Sequence, residues 1–236
     1  MSLDEALAQE GLPAVRFFTW KPAGISLGWK QPRPEWLEAE RWTRAGLALV
    51  ERPTGGGMAL HGSDLSVSVV IPRDFRLPLG ALMDAVCRST TRLCRAFGAR
   101  AEALLDCPSR ARVVYCLAEP SSYAVLHGSR KLAGFALRRF RHSWLIQGSL
   151  LVRPLSPMLS EALPSPVRAA FESRACSLSE AAGCPVTEPA AAGRWAESWG
   201  DWWEDASRQE AGGRGQNARD RVGIPIPANC QPPTAY

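Results

Sequence analysis

The sequence predicts an α+β fold, in which a mixed, mainly antiparallel sheet is flanked by helices. Residues 64–71 alternate apolar and polar side chains, as a strand does. Residues 79–97 carry apolar side chains on a single face at helical spacing. Strands and helices do not alternate regularly along the rest of the chain, which argues against a parallel βαβ array and favours a sheet built largely from hairpins.

Before the alternating strand, the sequence predicts two strands and a helix. Residues 15–20 and 25–29 are rich in apolar and aromatic side chains, and a Lys-Pro-Ala-Gly turn joins them. Residues 35–50 place tryptophan, leucine and valine at roughly helical spacing, which predicts an amphipathic helix. The long helix after the alternating strand begins at Pro78 and ends near Gly98, since proline favours helix starts and glycine favours helix ends.

The second half of the chain predicts more strands and then helices. Residues 112–117 are rich in β-branched and aromatic side chains, which is typical of a strand. Residues 123–126 and 131–139 flank a hairpin loop, and residues 144–152 form a further strand. Beyond Pro154 the pattern is helical, with prolines separating the segments.

Composition limits the class of protein. Of the 236 residues, 46% are hydrophobic and 22% are charged, as in a globular domain. We predict one folded domain over residues 1–205 and a flexible tail over residues 206–236, where apolar periodicity is lost. No apolar run is long enough to cross a membrane, and the acidic start lacks the features of a signal peptide, so we expect a cytoplasmic protein.

Cysteines and charged residues exclude further classes. Seven cysteines without a C-x-x-C pair fit a reducing compartment, and they favour neither a disulfide framework nor a metal site. The formal net charge of +5 permits an acidic partner, with Arg138, Arg139 and Arg141 as candidate contacts. No aromatic-interleaved RNA-binding motif accompanies them, so a nucleic-acid partner is not expected.

Three consecutive glycines, Gly55, Gly56 and Gly57, precede the alternating strand. Their missing side chains let a ligand approach the main chain, and Arg52 is a candidate contact for a carboxylate or a phosphate. The segment matches neither a P-loop nor a dinucleotide-binding loop. On these residues alone, a flexible turn followed by a packed or surface histidine at His61 is the simpler interpretation.

Lys131 is one of only three lysines among 28 basic residues. Lysine is a compact point charge whose pKa responds to its surroundings, whereas arginine is a planar fork that stays charged. Cys116 lies 15 positions before it. Without further context, a cysteine in an apolar segment is most simply a small core residue.

Four segments give that context. Residues 52–61 (RPTGGGMALH) match the pattern R-x-[TS]-G-G-x-x-V-x-H except at its valine, and residues 129–136 (SRKLAGFA) come close to G-[RK]-K-[IL]-x-G-[SN]-A. Residues 16–28 and 145–150 follow an R-F-Y-x-W…S-L-G opening and an L-Q-H-G-S-[IL] strand. In this order they resemble the catalytic family of lipoate–protein ligases, octanoyltransferases and biotin ligases. The resemblance implies the α+β catalytic domain of that family.

Residues 116–123 (CLAEPSSY) indicate the subfamily. They resemble the C-F-x-x-P-S-x-Y element of cysteine-dependent octanoyltransferases, and the spacing from Cys116 to Lys131 fits that class. The resemblance implies that Cys116 carries an acyl thioester and that Lys131 favours its thiolate. It further implies transfer of an octanoyl group from acyl carrier protein to the lysine of a lipoyl domain, such as the glycine cleavage H protein, with no cofactor and no metal ion.

The same resemblance implies which residues contact the substrate. They lie in the glycine segment and in two later motifs: Arg52, Gly55, Gly56, Gly57, His61, Gly134, Ala136, Gln147 and Gly148. Glu51, Gly62 and Phe135 depart from the family pattern. Two alternatives therefore stay open: an ATP-dependent lipoate–protein ligase, with Cys116 as a bystander, and a divergent binder of acyl groups or lipoyl domains without turnover.

Overall fold

Nine strands and seven helices are found in the computed structural model, which describes residues 1–75, 78–107 and 113–199. The strands are β1 (Ala14–Phe18), β2 (Gly24–Leu27), β3 (Ala48–Glu51), β4 (Ala59–His61), β5 (Asp64–Pro72), β6 (Ala101–Leu104), β7 (Ala124–His127), β8 (Arg130–Arg139) and β9 (Ser143–Leu151). The helices are α1 (Ser2–Glu10), α2 (Ala39–Arg44), α3 (Leu79–Ala96), α4 (Pro157–Ala162), α5 (Ser165–Arg174) and α6 (Leu178–Ala182), followed by α7 over residues 188–199.

The strands form two sheets. The larger sheet has six strands in the order β1-β5-β9-β8-β7-β6, and every neighbouring pair is antiparallel. The smaller sheet has the order β3-β2-β4, in which β2 runs parallel to β3 and antiparallel to β4. The predicted α+β class, with a mixed and mainly antiparallel sheet flanked by helices, is therefore confirmed.

Alternation along the strands divides the larger sheet into two faces. On β5, Val67 and Val69 belong to the same apolar core as the buried side of α3. On β8, Ala133 and Phe135 join that core. The residues between them on each strand point to the opposite face, which α1 covers at one end, where Ala8 packs with apolar side chains of the sheet. The functional cavity described below lies on this second face.

Two local predictions are wrong, the helix over residues 35–50 and the strand over residues 112–117. Only Ala39–Arg44 is helical within residues 35–50, because Gly46 has a left-handed φ of 71° and the chain then forms β3 beside β2. The two strands predicted near the start are confirmed as β1 and β2, and they lie in different sheets, since β1 pairs with β5 in the larger sheet and β2 pairs with β3 and β4 in the smaller one.

Some of the predicted segments lie partly or wholly outside the described residues, and some observed elements were not predicted. In place of the strand predicted over residues 112–117, residues 113–117 form a bend, an isolated bridge at Tyr115 and the start of a turn, and residues 108–112 lie outside the described part of the chain. The predicted tail also lies outside it, so the boundary at residue 205 stays a prediction. α1, β3, β4 and β6 have no counterpart in the prediction. Within the described ranges, no helix combines the length and the apolar character that crossing a bilayer requires.

Candidate active site

A cavity on the second face of the larger sheet brings the sequence motifs together. Seven of the predicted site residues line it: Arg52, His61, Cys116, Gly134, Ala136, Gln147 and Gly148. Ser26 of β2 and Met1 beside α1 also contribute to its wall. The cavity has a volume of about 30 Å³, which leaves room for only a few water molecules.

Cys116 lies in a turn held against the residue that follows the glycine segment. Its main-chain N–H donates to the Met58 carbonyl at 2.8 Å, and the Met58 N–H donates to Val114 at 2.7 Å. The Glu119 carboxylate accepts from the N–H groups of Val114 and Tyr115 at 2.9 and 3.1 Å. These bonds close the turn and leave the Cys116 side chain partly exposed.

Lys131 is buried on β8, with 3% of its surface exposed, and its ammonium group holds this turn. The Nζ atom donates to the Cys116 carbonyl at 2.7 Å, to the Glu119 carbonyl at 3.1 Å and to Ser121 Oγ at 2.7 Å. An ammonium has three protons, so these three bonds use all of them. Lys131 does not line the cavity itself, but it fixes the residue that does.

Gly134 lies close to both the Cys116 sulfur and the Lys131 ammonium. A Cβ added there would lie 2.9 Å from Cys116 Sγ and 3.4 Å from Lys131 Nζ. Both groups therefore occupy the space that a side chain would take, on the cavity face of β8. The predicted thiol and amine are brought together on one face of the sheet.

Arg52 links the main chain of the glycine segment to β2 through hydrogen bonds from its guanidinium group. One terminal nitrogen donates to the carbonyls of Gly55 and Gly57, both at 2.7 Å, and the other donates to the carbonyl and the hydroxyl of Ser26 at 3.1 and 3.2 Å. A Cβ on Gly57 would meet the Val114 carbonyl at 2.8 Å. The segment thus needs glycine partly because the cysteine turn packs directly against its main chain. Gly55, Gly56 and Gly57 do not line the cavity but border it through Arg52.

Two buried cationic side chains, those of Arg52 and Lys131, lie near Cys116. Neither Arg52 nor Lys131 has a carboxylate within ion-pair distance among the described residues. Burial lowers the pKa of both side chains, and the charge of a Cys116 thiolate acts on both in the opposite direction. Unpaired buried cations favour an anion, so the site suits a thiolate or a developing oxyanion.

His61 belongs to a chain of polar groups that the sequence analysis did not find. Its Nε2 atom lies 2.7 Å from Ser26 Oγ, and its Nδ1 atom lies 2.8 Å from Asp64 Oδ2. Burial alone would raise the pKa of Asp64, but the charge and hydrogen bond of His61, with bonds from Ser149 and Gly62, hold it below its ordinary value. Trp20 stacks on the imidazole with ring centroids 4.0 Å apart.

Gly62 explains why Asp64 was missed. The family pattern has an aspartate directly after the histidine, whereas this chain has a glycine with a φ of +119° whose Cβ would lie 2.4 Å from the Ala23 Cβ. The Gly62 N–H donates instead to Asp64 Oδ1 at 3.1 Å. A carboxylate three positions after His61 was the available signal.

The other two departures from the pattern, Phe135 and Glu51, do not line the cavity. Phe135 is on the α3 face, where its ring fills the space above Gly148, so that a Cβ on this glycine would lie 2.2 Å from the ring. Glu51 is exposed at the end of β3. Gln147 accepts from Thr54 Oγ1 and donates to the buried Asp4, both at 2.8 Å, so it connects the cavity wall to α1.

Comparisons with known proteins agree with the motifs. The chain is 32% identical over 201 residues to octanoyltransferase LipM of Moorella thermoacetica, covering 78% of this chain and 74% of that protein. It is 30% identical to octanoyltransferase LipM of Kyrpidia tusciae over 225 residues, covering 85% and 82% of the two chains.

Solved structures show the same fold at lower identity. A lipoate-protein ligase A bound with ATP superposes with a TM-score of 0.68 at 21% identity, over 85% of this chain and 78% of that chain. A bipartite lipoate protein ligase system of Thermoplasma acidophilum gives 0.64 at 19% identity, over 86% and 80%. The family model of the lipoyl protein ligase A/B catalytic domain matches residues 1–198. The chain therefore belongs to the lipoyl protein ligase A/B catalytic domain family.

Proposed function

We propose that this protein is a cysteine-dependent octanoyltransferase that passes an octanoyl group from acyl carrier protein to the lysine of a lipoyl domain. The observation that carries the proposal is the position of the Cys116 sulfur and the Lys131 ammonium against Gly134, at the wall of the cavity. Relatives about 30% identical are named octanoyltransferases, which supports acyl transfer in protein lipoylation.

The first step forms an acyl-enzyme. The Cys116 thiolate attacks the carbonyl carbon of the donor thioester, the new carbon–sulfur bond forms, and the carrier sulfur leaves and takes up a proton. One thioester replaces another, so the step is nearly isoenergetic and needs no ATP. The positive charges of Lys131 and Arg52 favour both the attacking thiolate and the oxyanion that develops on the carbonyl oxygen.

The second step forms the product. The neutral amine of the acceptor lysine attacks the acyl-Cys116 carbon, the carbon–sulfur bond breaks, and an amide remains. Cys116 leaves as a thiolate into the same positive field, which lowers the barrier for its departure. Two successive covalent steps predict ping-pong kinetics.

The acyl chain requires more space than the cavity offers. A volume of about 30 Å³ holds a few water molecules, and the Met1 side chain fills part of the wall, with its sulfur 3.3 Å from Gln147 Nε2. We assign the octanoyl tail to the region between Gly134, Ala136 and Gln147, which it would enter by displacing Met1. The substrate would therefore open the space that its acyl tail occupies.

An exposed cationic surface beside the glycine segment suits an acidic donor. Arg138 lies 4.0 Å above the ring of Trp29, whose surface is 42% exposed, and donates to the Pro53 carbonyl at 2.9 Å. Lys30 lies over the same ring at 4.5 Å. Gly134 and Arg138 share one face of β8, and their Cα atoms lie roughly 13 Å apart along the strand, with the Cys116 sulfur close to Gly134.

That distance favours the carrier as the partner. A carrier presents its thioester at the end of a long phosphopantetheine arm, so its phosphate and acidic surface stay far from the thiol. An acceptor lysine is shorter and brings its domain close to the cavity mouth. Arg139 contacts Trp144 on the other face of β8, at 5.9 Å, which makes it a poorer candidate than Arg138.

The test is to mix the purified protein with octanoyl-acyl carrier protein, without ATP, and record its intact mass. The proposal expects an octanoyl adduct that Cys116→Ala abolishes and that Cys184→Ala, at an exposed cysteine, retains. Labelling of a lipoyl domain from free octanoate or lipoate only when ATP is present would instead indicate a ligase. Binding of acyl carrier or lipoyl domain without any transfer would indicate a non-catalytic binder.

A further inference from the structure

We infer that Ser26, His61 and Asp64 form a proton relay that takes the proton from the acceptor amine during amide formation. The inference rests on the proposed function and assigns a role that Cys116 and Lys131 leave unfilled. The relay lies at the cavity wall, where Ser26 and His61 both line the small space beside Cys116.

The geometry is that of a continuous hydrogen-bonded chain. Ser26 Oγ is 2.7 Å from His61 Nε2, and His61 Nδ1 is 2.8 Å from Asp64 Oδ2. The three side chains have exposed fractions of 0, 4 and 1%, so water does not compete for these bonds. Trp20 holds the plane of the imidazole by stacking on it.

Neighbouring groups determine which atoms donate and which accept in the hydrogen bonds between Ser26, His61 and Asp64. Arg52 donates to Ser26 Oγ at 3.2 Å, so the serine proton points to His61 Nε2. Asp64 accepts from the Gly62 N–H and from the hydroxyls of Ser66 and Ser149, which keeps it ionised and leaves Nδ1 as the protonated nitrogen. In this arrangement Nε2 accepts from Ser26, and the Asp64 carboxylate faces the imidazolium that forms when Nε2 takes up a proton.

In its ammonium form Lys131 does not take this role. Its ammonium already donates all three protons to the turn that carries Cys116, so it has no lone pair with which to accept another. Besides His61, the described residues that line the cavity offer the guanidinium of Arg52, which is permanently charged, and the α-amino group of Met1, a residue that the acyl tail would displace. His61 is therefore the proton acceptor that the cavity offers.

Proton transfer accompanies the formation of the amide bond and the cleavage of the thioester. The amine nitrogen forms a bond to the acyl carbon and the carbon–sulfur bond breaks, with the electron pair leaving on Cys116. The surplus proton on nitrogen passes to Ser26 Oγ while Ser26 gives its own proton to His61 Nε2. After the product has left, the imidazolium, opposite Asp64, returns that proton through Ser26 to water in the cavity, and the relay regains its starting form.

The experiment separates the two half-reactions. Wild-type, His61→Gln and Ser26→Ala enzymes are loaded with octanoyl-acyl carrier protein, and the acyl-enzyme is then mixed with a lipoyl domain while intact mass is followed. Both variants are expected to acylate within about threefold of wild type but to pass the acyl group on at least ~100-fold more slowly. Ser68→Ala removes another buried hydroxyl, one without a hydrogen-bond partner in the described structure, and should leave both rates unchanged.

Hydroxylamine serves as a second acceptor, because it is largely unprotonated at neutral pH and a strong nucleophile. It should discharge the acyl-enzyme of His61→Gln almost as fast as that of wild type. Wild-type transfer to the lipoyl domain in both variants would overturn the relay, and so would an equal loss with hydroxylamine, which indicates a structural role. If wild type itself forms no acyl-enzyme, the proposed function fails instead. Should His61→Gln not fold, Ser26→Ala alone decides.

Discussion

Lys131 holds Cys116 by its main chain: the lysine ammonium donates a 2.7 Å hydrogen bond to the carbonyl oxygen of the cysteine. The ammonium thus acts on the nucleophile in two ways, since it positions the turn and adds positive charge beside the sulfur. Both effects depend on the proton, because only the ammonium has three hydrogen atoms to donate.

Replacing Lys131 by methionine should slow acyl-enzyme formation by about 100-fold, because the charge beside the thiolate and the bonds that hold its turn are lost together. The rate is measured by intact mass after mixing with octanoyl-acyl carrier protein. Lys21→Met, at an exposed lysine, is the matched control and should acylate at the wild-type rate. Wild-type acylation by Lys131→Met would show that the ammonium is not needed.

The lowered pKa of Lys131 predicts opposite pH trends for activity and stability. Burial makes the folded protein release this proton below the ordinary 10.5, so between the two pKa values the unfolded chain binds more protons. Over that window the contribution of Lys131 to the free energy of unfolding rises with pH, while acylation, which needs the ammonium, falls. Acylation rates and urea unfolding, each compared with Lys131→Met at the same pH, measure the two trends. A flat difference in both would contradict the prediction.

Asp64→Asn should lower the free energy of unfolding by about 2 kcal/mol at neutral pH, because a buried carboxylate that accepts several hydrogen bonds is replaced by an amide. The folded pKa of Asp64 lies below 3.8, so its stabilising contribution is present above that value and is lost as pH falls through the folded pKa. Urea unfolding at several pH values should show the gap between wild type and variant narrowing on acidification. A gap that stays constant would sink this explanation.

Three glycine-to-alanine changes should have three different outcomes. At Gly134 the new Cβ meets the ends of two flexible side chains, Cys116 Sγ and Lys131 Nζ, so acylation should fall at least about tenfold while the protein stays folded. At Gly148 it would lie 2.2 Å from the Phe135 ring, which should destabilise the fold. At Gly55 nothing lies within 4 Å, and unfolding should be unchanged. Thermal unfolding and acylation rates distinguish them, and equal effects at all three sites would contradict the geometry.

Arg138→Glu should raise the KM for octanoyl-acyl carrier protein several-fold and leave the kcat of the covalent steps nearly unchanged, because the charge steers docking and does not touch the reacting atoms. The effect should shrink as salt is added. Arg92→Glu, on α3 behind the opposite face of the larger sheet, is the matched control. Equal changes in both variants would point to net charge instead of the surface formed by Trp29, Lys30 and Arg138.

The parts of the fold that sequence could predict are those with strong local periodicity. α3 and β5 follow from their apolar patterns, and the β7–β8 hairpin follows from its turn. The smaller sheet could not be predicted, because its strands have only three or four residues and pair across long sequence separations. The helix predicted over residues 35–50 failed because tryptophan and leucine at helical spacing also serve a core beneath a short helix and a strand.

The site shows the same division. Cys116, Lys131 and the glycine segment are contiguous motifs, so the sequence identifies them and the fold brings them together. The chain of Ser26, His61 and Asp64 joins β2, β4 and β5, and only the pairing of β2 with β4 places Ser26 beside His61. A serine in a short strand gives no local sign of such a partner.

Arg52 and Lys131 both hold carbonyl oxygens, at Gly55 and Gly57 in one loop and at Cys116 and Glu119 in the other. These hydrogen bonds depend on the positions of main-chain oxygen atoms and do not involve most side chains of the two loops. At positions other than Gly57 and Cys116, homologues can therefore differ in amino-acid identity within the two loops, whereas an insertion or deletion of a single residue would shift the oxygens out of reach. We therefore expect homologues to conserve the lengths of these two loops more strictly than the residue identities at their other positions.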